Sequence, residues 1–188
     1  MVILAVAVNE QFHEEVSEMP ASTRNDIDDF LAQKRLALVG VSRNPKDFSR
    51  GMFHELRRRG YDMVAVNPNL TEVEGTRCFG RLQDIAPPVE GVLVMTSSEK
   101  SEQVVRDCAE AGITRVWLHR GAGKGAVSEA ALNFCRQQGL RVVAGYCPYM
   151  FLPETPFFHR MHGFFMKLGG AYPAYGARQP VAKQGSSS

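Results

Sequence analysis

The chain has 188 residues, 44% of them hydrophobic and 22% charged, with a formal net charge of +2 at pH 7. This composition predicts one globular domain with short appendages. It argues against a nucleic-acid-binding protein, because the basic residues are in small excess and are not interleaved with aromatic residues. No run approaches the ~20 apolar residues of a membrane span, and the apolar start MVILAVAV lacks the basic flank of a signal peptide.

The cysteines are isolated from one another and form no CxxC pair. This spacing is typical of reduced, mostly buried thiols rather than of a zinc site, so we expect a cytoplasmic protein. The four positions are Cys78, Cys108, Cys135 and Cys147.

The charges are unevenly distributed along the chain. Residues 1–33 carry one basic and seven acidic residues, whereas residues 34–60 carry eight basic and two acidic residues. A local positive field in the second segment suits a polyanionic small molecule. We interpret its densest part, residues 57–59, as a solvated helix face.

The predicted elements begin after an acidic stretch, residues 1–19, that we expect to be loosely ordered. A short helix is predicted in PASTRNDIDDFLAQK, with Ser22 or Thr23 as its cap. Short apolar runs then alternate with helical patterns up to Tyr146. The predicted strands are RLALVGV, DMVAVNP, GVLVMT, RVWLH and RVVAGY, and the helices between them are SRGMFHELRRRG, SEKSEQVVRDCAEAG and GAVSEAALNFCRQQG.

This alternation predicts an α/β fold with a doubly wound parallel five-stranded sheet, a Rossmann-like domain over residues 20–150. We expect the strand order 3-2-1-4-5. Ligands of such sheets bind beyond the carboxyl ends of the strands, near the switch point of the strand order. That rule selects the loops 40–50, 66–70, 95–99, 119–126 and 145–150.

The last part of the chain differs in composition. Residues 151–175 are rich in Phe and Met, and they predict a helical extension with a helix over 157–168, docked over the ligand site or bridging two chains. Residues 176–188 predict a disordered tail. His159 and His162 form H-x-x-H in this segment, but only Glu154 is near as a further ligand, and we expect no metal.

The turn GVSRNP follows the first strand as a phosphate-binding turn would. Gly40 permits the tight turn, but Ser42 stands where the dinucleotide fingerprint G-x-G-x-x-G has its second Gly. The second strand ends in Asn67-Pro68, where an NAD site has an acid for the ribose hydroxyls. Both departures argue against NAD as the ligand. A neutral Asn67 favours a ligand with an additional phosphate.

Four segments follow one another along the chain: LALVGVSRNP, GYDMVAVNP, EGTRCFGRLQDI and GITRVWLHRG. Together they resemble the coenzyme A-binding domain family, the stand-alone Rossmann domain similar to the amino-terminal part of the succinyl-CoA synthetase α subunit. The resemblance covers residues 36–147 and implies coenzyme A or acyl-CoA as the ligand.

The resemblance also implies a set of binding residues in four loops. Gly40, Val41 and Ser42 would hold the pyrophosphate, and Ser49 and Arg50 would lie near phosphate. Arg43, in the same loop, also belongs to the set. Those beside the adenosine are Asn67 and Pro68. Those that line the rest of the site are Thr96, Ser97, Ser98 and His119, the last at a position where the family often has Gln.

We find no catalytic constellation in the sequence: GVSRN lacks the second Gly of a nucleophile elbow. We therefore expect non-catalytic binding of coenzyme A or acyl-CoA, as a carrier, a sensor or a subunit, with a homodimer or a larger acyl-CoA complex as the possible assembly. Two alternatives stay open. One is an NAD(P)-binding oxidoreductase, and the other is a protein-interaction module that uses the Phe-rich carboxyl-terminal helix.

Overall fold

The computed structural model describes residues 22–120 and 125–153. The predictions for residues 1–19 and 176–188, for the helix over 157–168 and for His159 and His162 lie outside these residues. The described strands are β1 (Arg35–Val39), β2 (Asp62–Val66), β3 (Glu72–Val73), β4 (Thr76–Phe79), β5 (Gly91–Val94), β6 (Arg115–Leu118) and β7 (Arg141–Ala144). The α-helices are α1 (Arg24–Leu31), α2 (Phe48–Arg58), α3 (Ser98–Glu110) and α4 (Glu129–Gln137), and two 3-10 turns cover Leu82–Asp84 and Pro148–Met150.

The strands form one sheet in the order β3-β4-β2-β1-β5-β6-β7, parallel throughout except for β3, which pairs antiparallel with β4. The predicted doubly wound α/β fold is confirmed. The predicted strand count is wrong: the sheet has seven strands and not five. The six parallel strands alone have the order 3-2-1-4-5-6, the arrangement of a Rossmann sheet.

The position predicted for the third apolar run, residues 91–94, is also wrong. We expected it beyond β2, but β5 pairs with β1, with Val94 beside Val39. The place beside β2 belongs to β4, where Phe79 pairs with Val66. The sequence analysis missed the β3–β4 hairpin, whose Glu74-Gly75 turn has φ of 50° and 74°. Two successive positive φ values are typical of the tight turns that connect two antiparallel strands.

The amino-terminal helix α1 is tied to the end of the sheet by polar contacts. Thr23 caps it in a capping box with Asp26, as one of the two predicted caps. Ser22, the other predicted cap, instead contacts β7: its Oγ accepts a hydrogen bond from the Ala144 N–H at 2.8 Å. Asp29 accepts from Arg115 and from Arg141, each at 2.8 Å, and so joins α1 to β6 and β7.

The sheet is covered on both faces by buried apolar side chains, which fixes the strand ends that carry the loops. Trp117 of β6 is fully buried, and its Nε1 donates to the Tyr146 carbonyl at 2.9 Å. All four cysteines are free and buried. None of the helices within the described residues has the length and the apolar character needed to cross a bilayer.

Candidate ligand site at the carboxyl edge of the sheet

The turn after β1 depends on Gly40. This residue has φ of 94°, and its N–H donates to the Val66 carbonyl at 3.0 Å. A Cβ at this position would lie 2.9 Å from the carbonyl carbon and oxygen of Met95 and 3.0 Å from Thr96 Cγ2. Gly40 therefore lets the turn lie directly against the end of β5, and Thr96 lies beside it as predicted.

Val41 and Asn67 brace the turn. Val41 is fully buried among the core side chains, so its side chain packs the loop onto the domain. Asn67 donates from Nδ2 to the Val41 carbonyl at 2.8 Å, and its Oδ1 accepts from the Asn69 N–H at 2.8 Å. The Asn67 amide thus joins the ends of β1 and β2, and Pro68 follows it on the surface.

The loop from Ser42 to Ser49 closes on itself. The Ser42 N–H donates to Ser49 Oγ at 2.9 Å, and Ser49 Oγ donates to Asp47 Oδ1 at 2.6 Å. Ser42 Oγ accepts from the Asn44 N–H at 3.1 Å. Asp47 is the cap of α2, which begins at Phe48, one residue before the predicted start. Ser49 is buried, so its hydroxyl supports the loop from inside.

Two arginines flank this loop. The Arg43 guanidinium is exposed and donates to the Asn69 carbonyl at 3.3 Å, at the end of β2. Arg50 donates to the Ser42 carbonyl at 3.4 Å and lies 3.5 Å from Glu74. The Arg50 Nε is buried and has no hydrogen-bond partner within residues 22–120 and 125–153. Of these two arginines, Arg50 is paired with Glu74, whereas the exposed Arg43 contacts only a backbone carbonyl in the hydrogen bond described above.

The residues that follow β5 lie at the carboxyl edge of the sheet, next to the turn at Gly40. Thr96 is half-buried and donates from Oγ1 to the Ser97 carbonyl at 3.3 Å. Ser97 is exposed and precedes α3 as its cap, although its side chain makes no capping hydrogen bond. Ser98 Oγ lies 3.4 Å from Glu99 Oε1. Of these three residues, Thr96 lies next to Gly40, and Ser97 and Ser98 follow it into the start of α3.

His119 follows β6 and is the most deeply buried polar group of the edge loops after Ser49, with 7% of its surface exposed. Burial lowers the pKa of His119 to about 4, so the imidazole is neutral at pH 7. Its Nε2 has no hydrogen-bond partner among the described residues. Its ring lies 5.4 Å from the ring of Phe48, which in turn meets Tyr149 edge-on at 5.7 Å.

Sequence reasoning missed Phe48 and Tyr149. Both belong to loops that the carboxyl-edge rule selects, but an isolated aromatic residue in such a loop gives no signal of its own. The sequence carries no pattern that pairs Phe48 with His119, because the contact joins an α2 residue to the end of β6. Within residues 22–120 and 125–153, no group of three His, Cys, Asp or Glu side chains is placed to hold a metal ion.

A family model described as the CoA binding domain matches residues 34–153. The chain belongs to this family. It is 29% identical over 114 residues to the uncharacterized protein YneT of Bacillus subtilis, covering 61% of this chain and 82% of YneT. The family assignment confirms the resemblance that the sequence suggested.

Two further similarities are with archaeal proteins. The chain is 22% identical over 129 residues to the α subunit of an ADP-forming acetate–CoA ligase II of Pyrococcus furiosus; this covers 64% of the chain and 28% of that subunit. The solved structure of a hypothetical protein from Pyrococcus horikoshii matches with a TM-score of 0.63 and 27% identity, over 70% of this chain and 92% of that one. The chain therefore spans less than a third of the ligase subunit.

Proposed function

We propose that the protein binds coenzyme A or an acyl-CoA at the carboxyl edge of its sheet, without a chemical step of its own, as a carrier, a sensor or a subunit of a larger acyl-CoA system. Membership of the CoA binding domain family supports coenzyme A as the ligand class. The name of the similar acetate–CoA ligase subunit supports it as well.

The observation that carries the proposal is the charge at the end of β2. Dinucleotide enzymes that use NAD place a carboxylate there to hold the ribose hydroxyls, and those that take a phosphorylated ribose have an arginine nearby. Here Asn67 is neutral, and its amide donates to the Val41 carbonyl. Arg43 donates to the nearby Asn69 carbonyl. The phosphate on the adenosine ribose of coenzyme A would meet Arg43 at this point.

The diphosphate would lie over the loop between β1 and α2. Arg50 supports this placement, because it lies against the Ser42 carbonyl of this loop and its Nε, which has no hydrogen-bond partner among the described residues, can donate to a phosphate oxygen. We propose binding rather than covalent chemistry because Cys147, the thiol in the loop after β7, is a poor nucleophile. Burial raises the pKa of Cys147 to about 11, so its thiolate is scarce at pH 7.

A second candidate is NADP(H), because Arg43 would equally meet the additional phosphate on its adenosine ribose. The neutral end of β2 gives NAD no such support. We also propose a cytoplasmic location, which the four free, buried thiols support.

The deciding experiment is calorimetric titration of the protein with coenzyme A, acetyl-CoA, dephospho-CoA, NAD and NADP. We expect coenzyme A to bind more tightly than dephospho-CoA by roughly ten- to hundredfold, since a charge-assisted contact contributes about 1.5–3 kcal/mol. Arg43→Ala should reduce this difference to near zero. The matched control is Arg106→Ala, which removes an equal charge from α3, where Arg106 pairs with Glu102.

The possible results distinguish the proposed function from the second candidate. Failure of coenzyme A, acetyl-CoA and dephospho-CoA all to bind would reject the proposed function. Preferential binding of NADP over coenzyme A would replace it with the second candidate. An equal effect of the Arg43 and Arg106 variants would show that Arg43 acts only through net charge.

A further inference from the structure

An apolar surface lies close to the point where the described chain ends. Phe48, at the start of α2, is the one large hydrophobic side chain that is exposed among residues 22–120 and 125–153, with 44% of its surface accessible. Its ring meets the ring of Tyr149 edge-on at 5.7 Å. The next two residues, Met150 and Phe151, are half-buried and pack against the same core as Tyr149. A single exposed apolar side chain is ordinary, but here it continues into three half-buried ones.

The chain leaves this apolar surface at a fixed point. Phe151 packs edge-on against the buried Trp117, with 6.0 Å between the ring centroids. Two residues later, the Pro153 carbonyl accepts a hydrogen bond from Nη1 of Arg59, the residue that ends α2. The residues that follow Pro153 therefore start beside the last turn of α2, whereas Phe48 lies at its first turn.

The sequence that follows is rich in side chains that favour burial. Residues 157–168, FFHRMHGFFMKL, carry four Phe and two Met. The match to the family ends at residue 153, so this segment is an addition to the domain that the family shares. Phe and Met side chains gain much free energy when they leave water, and aromatic rings pack favourably edge-on against other rings. The segment therefore needs an apolar partner, and the surface at Phe48 and Tyr149 is one of matching chemistry.

Length and tethering favour a contact within one chain over a contact between two copies. α2 has 11 residues and is about 16 Å long. Residues 157–168 span about 18 Å as the helix that their sequence predicts, and more if they are extended. They can therefore reach from Arg59 back to Phe48. A short tether such as residues 154–156 gives a millimolar effective concentration, which a second copy does not match in dilute solution.

The charges select the side of α2 on which the segment can pack. Arg57 and Arg58 are exposed on the outer face of this helix. The segment itself is basic, with Arg160 and Lys167 and no acidic residue between 157 and 168. Like charges would repel on the outer face, whereas the apolar surface at Phe48 carries no charged side chain among its four members.

We propose that residues 157–168 dock on this apolar surface of their own domain, so that their Phe and Met side chains cover Phe48 and Tyr149. The docked segment shields the aromatic rings at the start of α2 from water. The assignment does not depend on which ligand the carboxyl edge of the sheet binds, because it concerns only contacts within the chain.

The test is limited trypsin digestion of the full chain, followed at each cleavage site by mass spectrometry. Arg160 and Lys167 lie in the docking segment, and Arg178 lies beyond it. Each rate is divided by the rate at the same site in a synthetic peptide of residues 154–188. Because cleavage follows the population of the open form, we expect docking to slow cleavage at Arg160 and Lys167 by about tenfold or more and to spare Arg178.

Two variants test the contact from its two sides. Phe48→Ser should speed cleavage at Arg160 about tenfold, since it removes a large apolar side chain from the contact, while Phe48→Tyr keeps the ring and should retain the protection. The change should spare the core, because Phe48 is exposed at the first turn of α2. Phe164→Ser combined with Phe165→Ser leaves the described domain unaltered and should release the segment in the same way.

Three results would overturn the assignment. Cleavage of the unaltered protein at Arg160 as fast as in the peptide would show that the segment is not docked. Protection that Phe48→Ser leaves unchanged would place the segment on another surface. Protection that rises with protein concentration would assign the surface to the segment of a second copy.

Discussion

The backbone N–H of Ser42 donates to Oγ of Ser49 at 2.9 Å, which closes the loop between β1 and α2 onto the first turn of the helix. Ser49 also places its own N–H, at 2.8 Å, and its hydroxyl on Asp47 Oδ1. The end of α2 that would attract an anion therefore already carries a carboxylate. A polyanionic ligand is attracted here by Arg43 and Arg50 and repelled by Asp47.

Asp47→Asn should therefore bind coenzyme A more tightly. Asn caps helices about as well as Asp, so α2 should keep its start while the negative charge is removed. Charges near a helix end contribute about 0.3–1 kcal/mol, which predicts a gain of roughly two- to fivefold. Titration calorimetry at low and at high salt measures it, and the gain should shrink as salt screens the charge.

The matched control for this gain is Asp62→Asn. Asp62 begins β2 at the opposite edge of the sheet, where it pairs with Arg35. Its removal should leave the affinity unchanged. Weaker binding by Asp47→Asn would mean that the carboxylate is needed to order the loop, and that this need outweighs its repulsion of the ligand.

Ser42→Asp should lower the affinity for coenzyme A by about 2 kcal/mol, because it places a second carboxylate in the loop beside the diphosphate. Ser42→Asn is the neutral variant of the same shape. Both side chains can accept the Asn44 N–H that Ser42 Oγ now accepts, so both variants should keep the turn and similar melting temperatures. Equal affinities for the Asp and Asn variants would remove Ser42 from the site.

Gly40→Ala should destabilise the fold by roughly 2 kcal/mol or more. Its φ of 94° is strained for any residue with a Cβ, and that Cβ would lie 2.9 Å from the Met95 carbonyl. Gly51→Ala is the control, because Gly51 lies inside α2 and its Cβ would meet no atom within 4 Å. That change should stabilise the helix by about 0.5–1 kcal/mol. Urea unfolding measures both, and similar losses in the two variants would contradict the close approach at Gly40.

The sequence predicted the central strands well because β1 and β5 are buried on both faces and therefore read as continuous apolar runs. It failed at β4, in which only Cys78 is buried and which is held in the sheet by its pairing with β2. It also failed to place β5 beside β1. That contact depends on long-range packing: a Cβ on Gly91 would lie 3.1 Å from side-chain atoms of both Leu36 and Phe30.

In the candidate site, too, some residues could be predicted from the sequence and others could not. Gly40 and Ser42 lie in a local pattern that signals a phosphate turn, so the sequence was sufficient to select them. The internal bond between Ser42 and Ser49 and the contact between Phe48 and His119 were not predictable, because each depends on how α2 is set against the strand ends. Local sequence defines the turn, whereas packing decides which of its donors are already used.

His119 also predicts a pH dependence of stability. Its pKa is about 4 in the folded protein because the imidazole is buried, against about 6.5 in an unfolded chain. Between these values the unfolded state binds the proton more readily, so the free energy of unfolding rises with pH and is lost as pH falls from ~6.5 toward ~4. The neighbouring Tyr149 does not titrate in this range, because the ordinary pKa of a phenol is about 10 and burial raises that of Tyr149 further, to about 12.

From about pH 7.5 to about pH 5, this single residue should remove roughly 2 kcal/mol of stability. His119→Gln cannot take up the proton, so its free energy of unfolding should change less over the same interval by about that amount. Urea unfolding curves at the two pH values measure the difference. If His119→Gln loses as much stability on acidification as the unaltered protein does, the proton uptake occurs elsewhere and the imidazole is not held neutral by its burial under Phe48.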